Sequence, residues 1–123
     1  MTVSPTTVPV ASVVLRWLGP GEGGRTSPPT GSVYAATAYF ADDTVGQSFS
    51  IVLEAPSSEP FLGGGPQRVS LRLLAPERLP EVVRRLEAGR QVVVTEGRRV
   101  VAVGRLESIH QEAPVAPFAP ATA

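Results

Sequence analysis

The chain contains no cysteine and no lysine, and its one histidine is His110. Without cysteine it forms no disulfide framework, no thiolate metal site and no cysteine nucleophile; without lysine it has no Schiff base and no P-loop lysine. An excess of either charge is lacking too, because 11 basic residues, all arginine, balance 11 acidic ones over 123 residues at a pI near 6.6. That balance argues against an undirected nucleic-acid binder while leaving room for a local arginine patch. With 13 prolines and 12 glycines, long helices are not expected, which excludes an all-α bundle. The start, Met1 to Pro5, carries no basic residue, and the apolar run Val8 to Leu18 is broken by Pro9, Ser12 and Arg16. It fits neither a signal peptide nor a membrane span, so a soluble cytoplasmic protein without membrane contact is expected.

What is present is a hydrophobic fraction of 42%, enough for the core of one domain. Residues 1–7 read as a flexible N-terminus, 8–111 as the folded domain and 112–123 as a flexible Pro/Ala-rich tail. That tail repeats proline every third residue, at Pro114, Pro117 and Pro120, which favours extended chain without a ladder. Between the ends, apolar residues recur at every second position. Val13, Leu15 and Trp17 share one face with Arg16 on the other, Phe49, Ile51 and Leu53 alternate against Ser48, Ser50 and Glu54, and Val69, Leu71 and Leu73 alternate with Arg68, Ser70 and Arg72. Tyr34 to Phe40, Gln91 to Thr95 and Arg99 to Ile109 bring the expected strands to six.

Turn-rich separators support this division: Gly19 to Gly24, Pro28 to Gly31, the flexible connection Gly63 to Pro66, and Glu96-Gly97-Arg98-Arg99 at a hairpin. One helix is predicted from Pro80 to Ala88, with Pro80 in its first turn, Val82, Val83 and Leu86 facing inward, and Gly89 as its C-terminal cap. Six short strands and one short helix predict a small all-β fold, an antiparallel barrel whose closure removes exposed edges. Trp17 and Phe49 are expected in the core or at a barrel mouth.

Glu22-Gly23-Gly24-Arg25-Thr26-Ser27-Pro28, then Tyr34 and Tyr39-Phe40, and later Glu96-Gly97-Arg98-Arg99-Val100-Val101-Ala102-Val103-Gly104 resemble, in order and spacing, the C-terminal (third) β-barrel domain of elongation factor Tu. The resemblance covers about residues 10–110 and implies a six-stranded barrel standing without the GTPase domain. No Gly-x-x-x-x-Gly-Lys-Ser/Thr sequence occurs, so no bound nucleotide is expected, and no other cofactor. In that family the barrel holds the T-stem backbone of tRNA and also contacts protein partners. The resemblance therefore implies a partner-binding end carrying Arg25, Glu96, Gly97, Arg98 and Arg99. An arginine fork can hold phosphate oxygens, a glycine admits a close approach, and a glutamate accepts from a ribose hydroxyl.

This sequence departs from the family pattern at several polar positions. Thr95 and Arg98 replace an arginine and a glycine of the hairpin, Thr26 replaces a histidine, and Ala35 and Thr37 replace an arginine and a glutamine. Fewer phosphate contacts mean weaker, less salt-dependent RNA binding, so a protein partner is favoured slightly over tRNA. The Pro80 to Ala88 helix reads as an insertion relative to the family. Arg25 and Arg98 converging on one anion is one expectation for the basic end; Arg99 pairing with Glu96 or Glu107 is the alternative.

Catalysis has no positive support. A hydrolase would have to use His110, which has no nucleophile elbow to serve and no carboxylate cluster to share a metal with, and Asp42-Asp43 point to opposite sides of an extended segment and read as turn residues. The expectation is a non-enzymatic binding module in translation with no catalytic or metal residues. An accessory subunit completing a truncated partner is a further alternative.

Overall fold

The computed structural model describes residues 7–42, 48–56, 59–63 and 65–113. Alternating apolar positions build six strands: β1 (Val8–Trp17), β2 (Val33–Phe40), β3 (Phe49–Glu54), β4 (Gln67–Leu73), β5 (Gln91–Glu96) and β6 (Arg99–Glu112). All neighbouring pairs are antiparallel and the sheet closes in the order β1-β4-β3-β2-β5-β6. The predicted six-stranded barrel is therefore the observed fold. One face of each strand fills the interior, with Val13, Leu15, Phe40, Ile51, Leu53, Leu71, Val94 and Leu106 fully or almost fully buried.

β1 starts five residues before the apolar alternation suggested, at Val8 instead of Val13. Pro9 is tolerated there because the first two residues extend beyond β4, whose register with β1 begins at Val10, and pair only with β6. A proline that faces one ladder instead of two forfeits less hydrogen bonding. β6 is the longest strand, with 14 residues, and its register against β1 shifts at a bulge beside Ser12 and Val13. Gly104 faces inward on this strand. A Cβ there would lie 2.7 Å from Val13 Cγ1 and 3.1 Å from Leu15 Cδ1, so the missing side chain is the space those two residues occupy.

The helix α1 spans Pro80–Arg85, three residues shorter than predicted. Leu86 leaves helical geometry with ψ at 107°, and Gly89, expected as the cap, instead turns the chain into β5 with φ at +92° while its N–H donates to the Leu106 carbonyl. The inward residues are as expected: Val82 is buried, and Val83 and Leu86 pack against the core. Because β4 and β5 are not neighbours in the barrel, the connection that carries α1 must cross from one side to the other, and its apolar face covers the core on the way. Nearby, the Arg90 guanidinium lies 5.4 Å from the Phe40 ring and pairs with Asp42 and Glu87. Asp42 is in a turn, as expected, whereas Asp43, Gly64 and residues 1–6 and 114–123 lie outside the described residues. Among the described residues no helix is long and apolar enough to cross a membrane.

Candidate partner-binding end

The loop after β1 is shaped by two glycines. Gly23 closes the turn at Pro20–Glu22 in the left-handed region, with φ at +80°. Gly24 then passes so close to Leu18 that a Cβ would stand 2.1 Å from the Leu18 carbonyl oxygen. That approach lets the Gly24 N–H reach the Gly19 carbonyl at 2.9 Å and the Arg25 N–H reach the Leu18 carbonyl at 3.1 Å. Within the loop, the Glu22 carboxylate accepts from the Gly19 N–H and also from Arg16, tying the turn to β1.

Fixed in this way, Arg25 reaches across 71 residues of sequence to Glu96 at the end of β5. Its Nε donates to the Ser27 carbonyl at 3.0 Å and its Nη1 to the Glu96 carboxylate, which also accepts from the Tyr34 hydroxyl. The guanidinium lies 5.8 Å from the centre of the Tyr34 ring. Beneath this cluster Trp17, Tyr34 and Phe61 meet edge to face, with centroids 5.4 Å apart for Trp17–Tyr34 and for Trp17–Phe61. The Trp17 Nε1 is buried with no acceptor among the described residues.

The electrostatics follow from this geometry. The Tyr34 hydroxyl donating to Glu96, helped by the Arg25 charge, holds the Glu96 carboxyl below its usual range against the opposing effect of burial. Burial pushes the Tyr34 phenol up, and the adjacent Glu96 carboxylate adds to that shift. At neutral pH the cluster is thus a neutral phenol, a carboxylate and a guanidinium, in which Glu96 and Arg25 neutralise each other.

Gly97 forms the hairpin turn with φ at +60°, the left-handed geometry that disfavours any side chain, and Arg98 and Arg99 follow on its exposed side. Arg99 stands opposite Glu96 in the β5–β6 register and lowers its pKa through its charge, but among the described residues it makes no hydrogen bond or ion pair; nor does Arg98. The anticipated pairing of Arg99 with Glu96 or Glu107 is not formed, because Glu96 takes Arg25 and Glu107 takes Arg68 at 2.6 Å. Arg25 is likewise turned onto Glu96, where convergence with Arg98 on an anion was anticipated.

The residues expected at this end therefore divide into an internally satisfied pair, Arg25 and Glu96, and an exposed pair, Arg98 and Arg99, with no ion pair among the described residues; Gly97 joins the two. Beside Arg25 runs a groove of about 380 Å³ lined also by Arg16, Trp17, Leu18, Ser27 and Pro28. Sequence reasoning missed Tyr34 as the group that binds Glu96, and Phe61, which lies in an irregular segment with no periodic signal. His110 is exposed on β6 and pairs with Glu112, and no group of three or more metal-ligating side chains occurs among the described residues. No protein-family model matches the chain, and no curated protein matches it in sequence.

Proposed function

We propose that this chain is a non-enzymatic binding module, resembling the third domain of elongation factor Tu, that holds a protein partner at the barrel end formed by Arg25, Glu96, Gly97, Arg98 and Arg99. The observation that carries the reading is the contrast at that end: Arg25 and Glu96 are consumed by one another, whereas Arg98 and Arg99 are exposed at a tight hairpin and, among the described residues, make no ion pair or hydrogen bond. Two adjacent exposed guanidinium groups suit carboxylates on a partner, since each offers several planar donors. The arrangement favours a protein over tRNA because one of the arginines expected to meet phosphate is already neutralised internally and the chain has no net positive field. On this reading the Arg25–Glu96–Tyr34 cluster is the support that fixes the hairpin base, and the tip makes the contact.

The test is capture from the native cell extract with the wild-type chain and with R98E/R99E, each before and after nuclease treatment. A protein retained by the wild type, insensitive to nuclease and lost with the reversed charges supports the reading. Capture that nuclease abolishes would establish the RNA alternative, and an identical set of proteins on both baits would remove this end from consideration.

A further inference from the structure

The barrel is closed, but one strand outruns its neighbour. β6 pairs with β1 down to Glu112, opposite Val8, whereas β5 begins at Gln91, opposite Arg105. Two backbone hydrogen bonds prolong that seam by one residue, from the Gly89 N–H to the Leu106 carbonyl at 2.7 Å and from the Leu106 N–H to the Arg90 carbonyl at 2.9 Å. Beyond Leu106 and the bulge at Glu107, residues 108–112 pair with β1 on one side, and residues 107–112 have, among the described residues, no strand or backbone partner on the other. Glu107, Ser108, His110 and Gln111 are exposed. Such an edge presents a row of backbone donors and acceptors to any added strand.

We propose that this edge is the interface of a homodimer, in which β6 pairs antiparallel with β6 of a second copy about a two-fold axis at Ile109. Residues directly opposite in an antiparallel pair face the same side of the sheet, so a symmetric pairing must be centred on a residue and not between two. Centring on Ile109 sets that side chain against its own copy and sets Ser108 against His110, twice by symmetry, with no like charges opposed. Centring on His110 would oppose two imidazoles. Charged residues commonly guard an open edge against association. Here the two acids are engaged by their own chain, Glu107 by Arg68 and Glu112 by Arg72, each at 2.6 Å, so they do not repel an approaching copy with full charge. β6 enters the barrel at Arg99, ten residues before Ile109. The two Arg98–Arg99 tips therefore stand at opposite extremes of the dimer, roughly 65 Å apart along the strands.

Sedimentation velocity over the micromolar range tests this. The wild type is expected to pass from monomer to dimer as concentration rises. S108R/H110R opposes like charges at both symmetry-related pairs, and S108E/H110R, which shares the H110R change, opposes unlike ones; the first is expected to dimerise at least about tenfold more weakly than the second. A wild type that stays monomeric at every concentration, or two variants that associate equally, would overturn the proposal. Hydrogen exchange on the wild type provides a reading that needs no variant. Amides within residues 107–111 are expected to gain protection between dilute and concentrated samples, and protection that does not change with concentration rejects the interface.

Discussion

Replacing Glu96 by Gln tests the electrostatic account of the cluster most directly, because it keeps the size of the side chain and an oxygen for the Tyr34 hydroxyl while removing the charge that faces Arg25. The Arg25 and Glu96 side chains are 29% and 32% exposed, so solvent screens the pair in part. Hydrogen bonds to a charged group contribute about 1.5–3 kcal/mol when fully buried, and exposed ion pairs typically less than about 1 kcal/mol. This intermediate case should lose about 1–2 kcal/mol at pH 7, equivalent to a drop in Tm of about 5–10 °C for a domain of this size.

The pH dependence of that loss is the sharper measurement. The folded-state pKa of Glu96 lies below its unfolded value, so its stabilising contribution is fully present above the unfolded pKa, near about 4.3, and is lost as pH falls through the folded value. Thermal or urea unfolding of wild type and E96Q at pH 7 and at successively lower pH should therefore show two curves that converge in acid, once the wild-type carboxylate is itself protonated. Equal stability at pH 7, or a gap that stays constant from pH 7 into the acid range, would refute the assignment of Glu96 as the charge that anchors Arg25.

Gly104→Ala should destabilise the barrel by about 1–3 kcal/mol, since a Cβ 2.7 Å from Val13 Cγ1 overpacks the interior; an unchanged denaturation midpoint would mean that Val13 and Leu15 have room to move aside. Gly24→Ala places a methyl group 2.1 Å from the Leu18 carbonyl oxygen and must rebuild the loop. It should therefore abolish the coupling between Arg25 and Glu96 in a double-mutant cycle, and a coupling energy that survives would contradict the loop's role in aiming Arg25. Raising the pH tests Tyr34 with the opposite sign. Its pKa is raised in the fold, so the preference for the neutral phenol is intact below about pH 10 and is lost at higher pH, and Y34F should show less alkaline destabilisation than the wild type when unfolding is followed across that range.

Strand existence was legible because period-2 alternation is a local signal: Phe49, Ile51 and Leu53 point inward whatever they pack against, and Gly97 marks its hairpin through the backbone geometry that the turn needs. The N-terminal half of β1 was not legible. Val8, Pro9 and Val10 show no alternation, and their strand exists because the long β6 offers them a ladder. The helix was overextended for a related reason. Propensity alone carries Leu86 to Ala88 onward, but the chain must turn there so that Gly89 and Arg90 can bond to Leu106.

At the proposed binding end, the sequence by itself determined which side chains sit at turns. It placed Arg25 after a glycine-rich loop and Glu96 to Arg99 at a hairpin, and it made arginine the only cation available besides a lone histidine. Only the tertiary structure decided how those charges are spent. Closing the barrel brings Tyr34, Arg25 and Glu96 together from three separate segments, so one arginine is neutralised, while Arg98 and Arg99 stay exposed with no ion pair among the described residues. The absence of net charge is thus a property of the whole chain that local geometry unbalances. Pairing depends on distances across the sheet, which composition does not record and which strand order and register set.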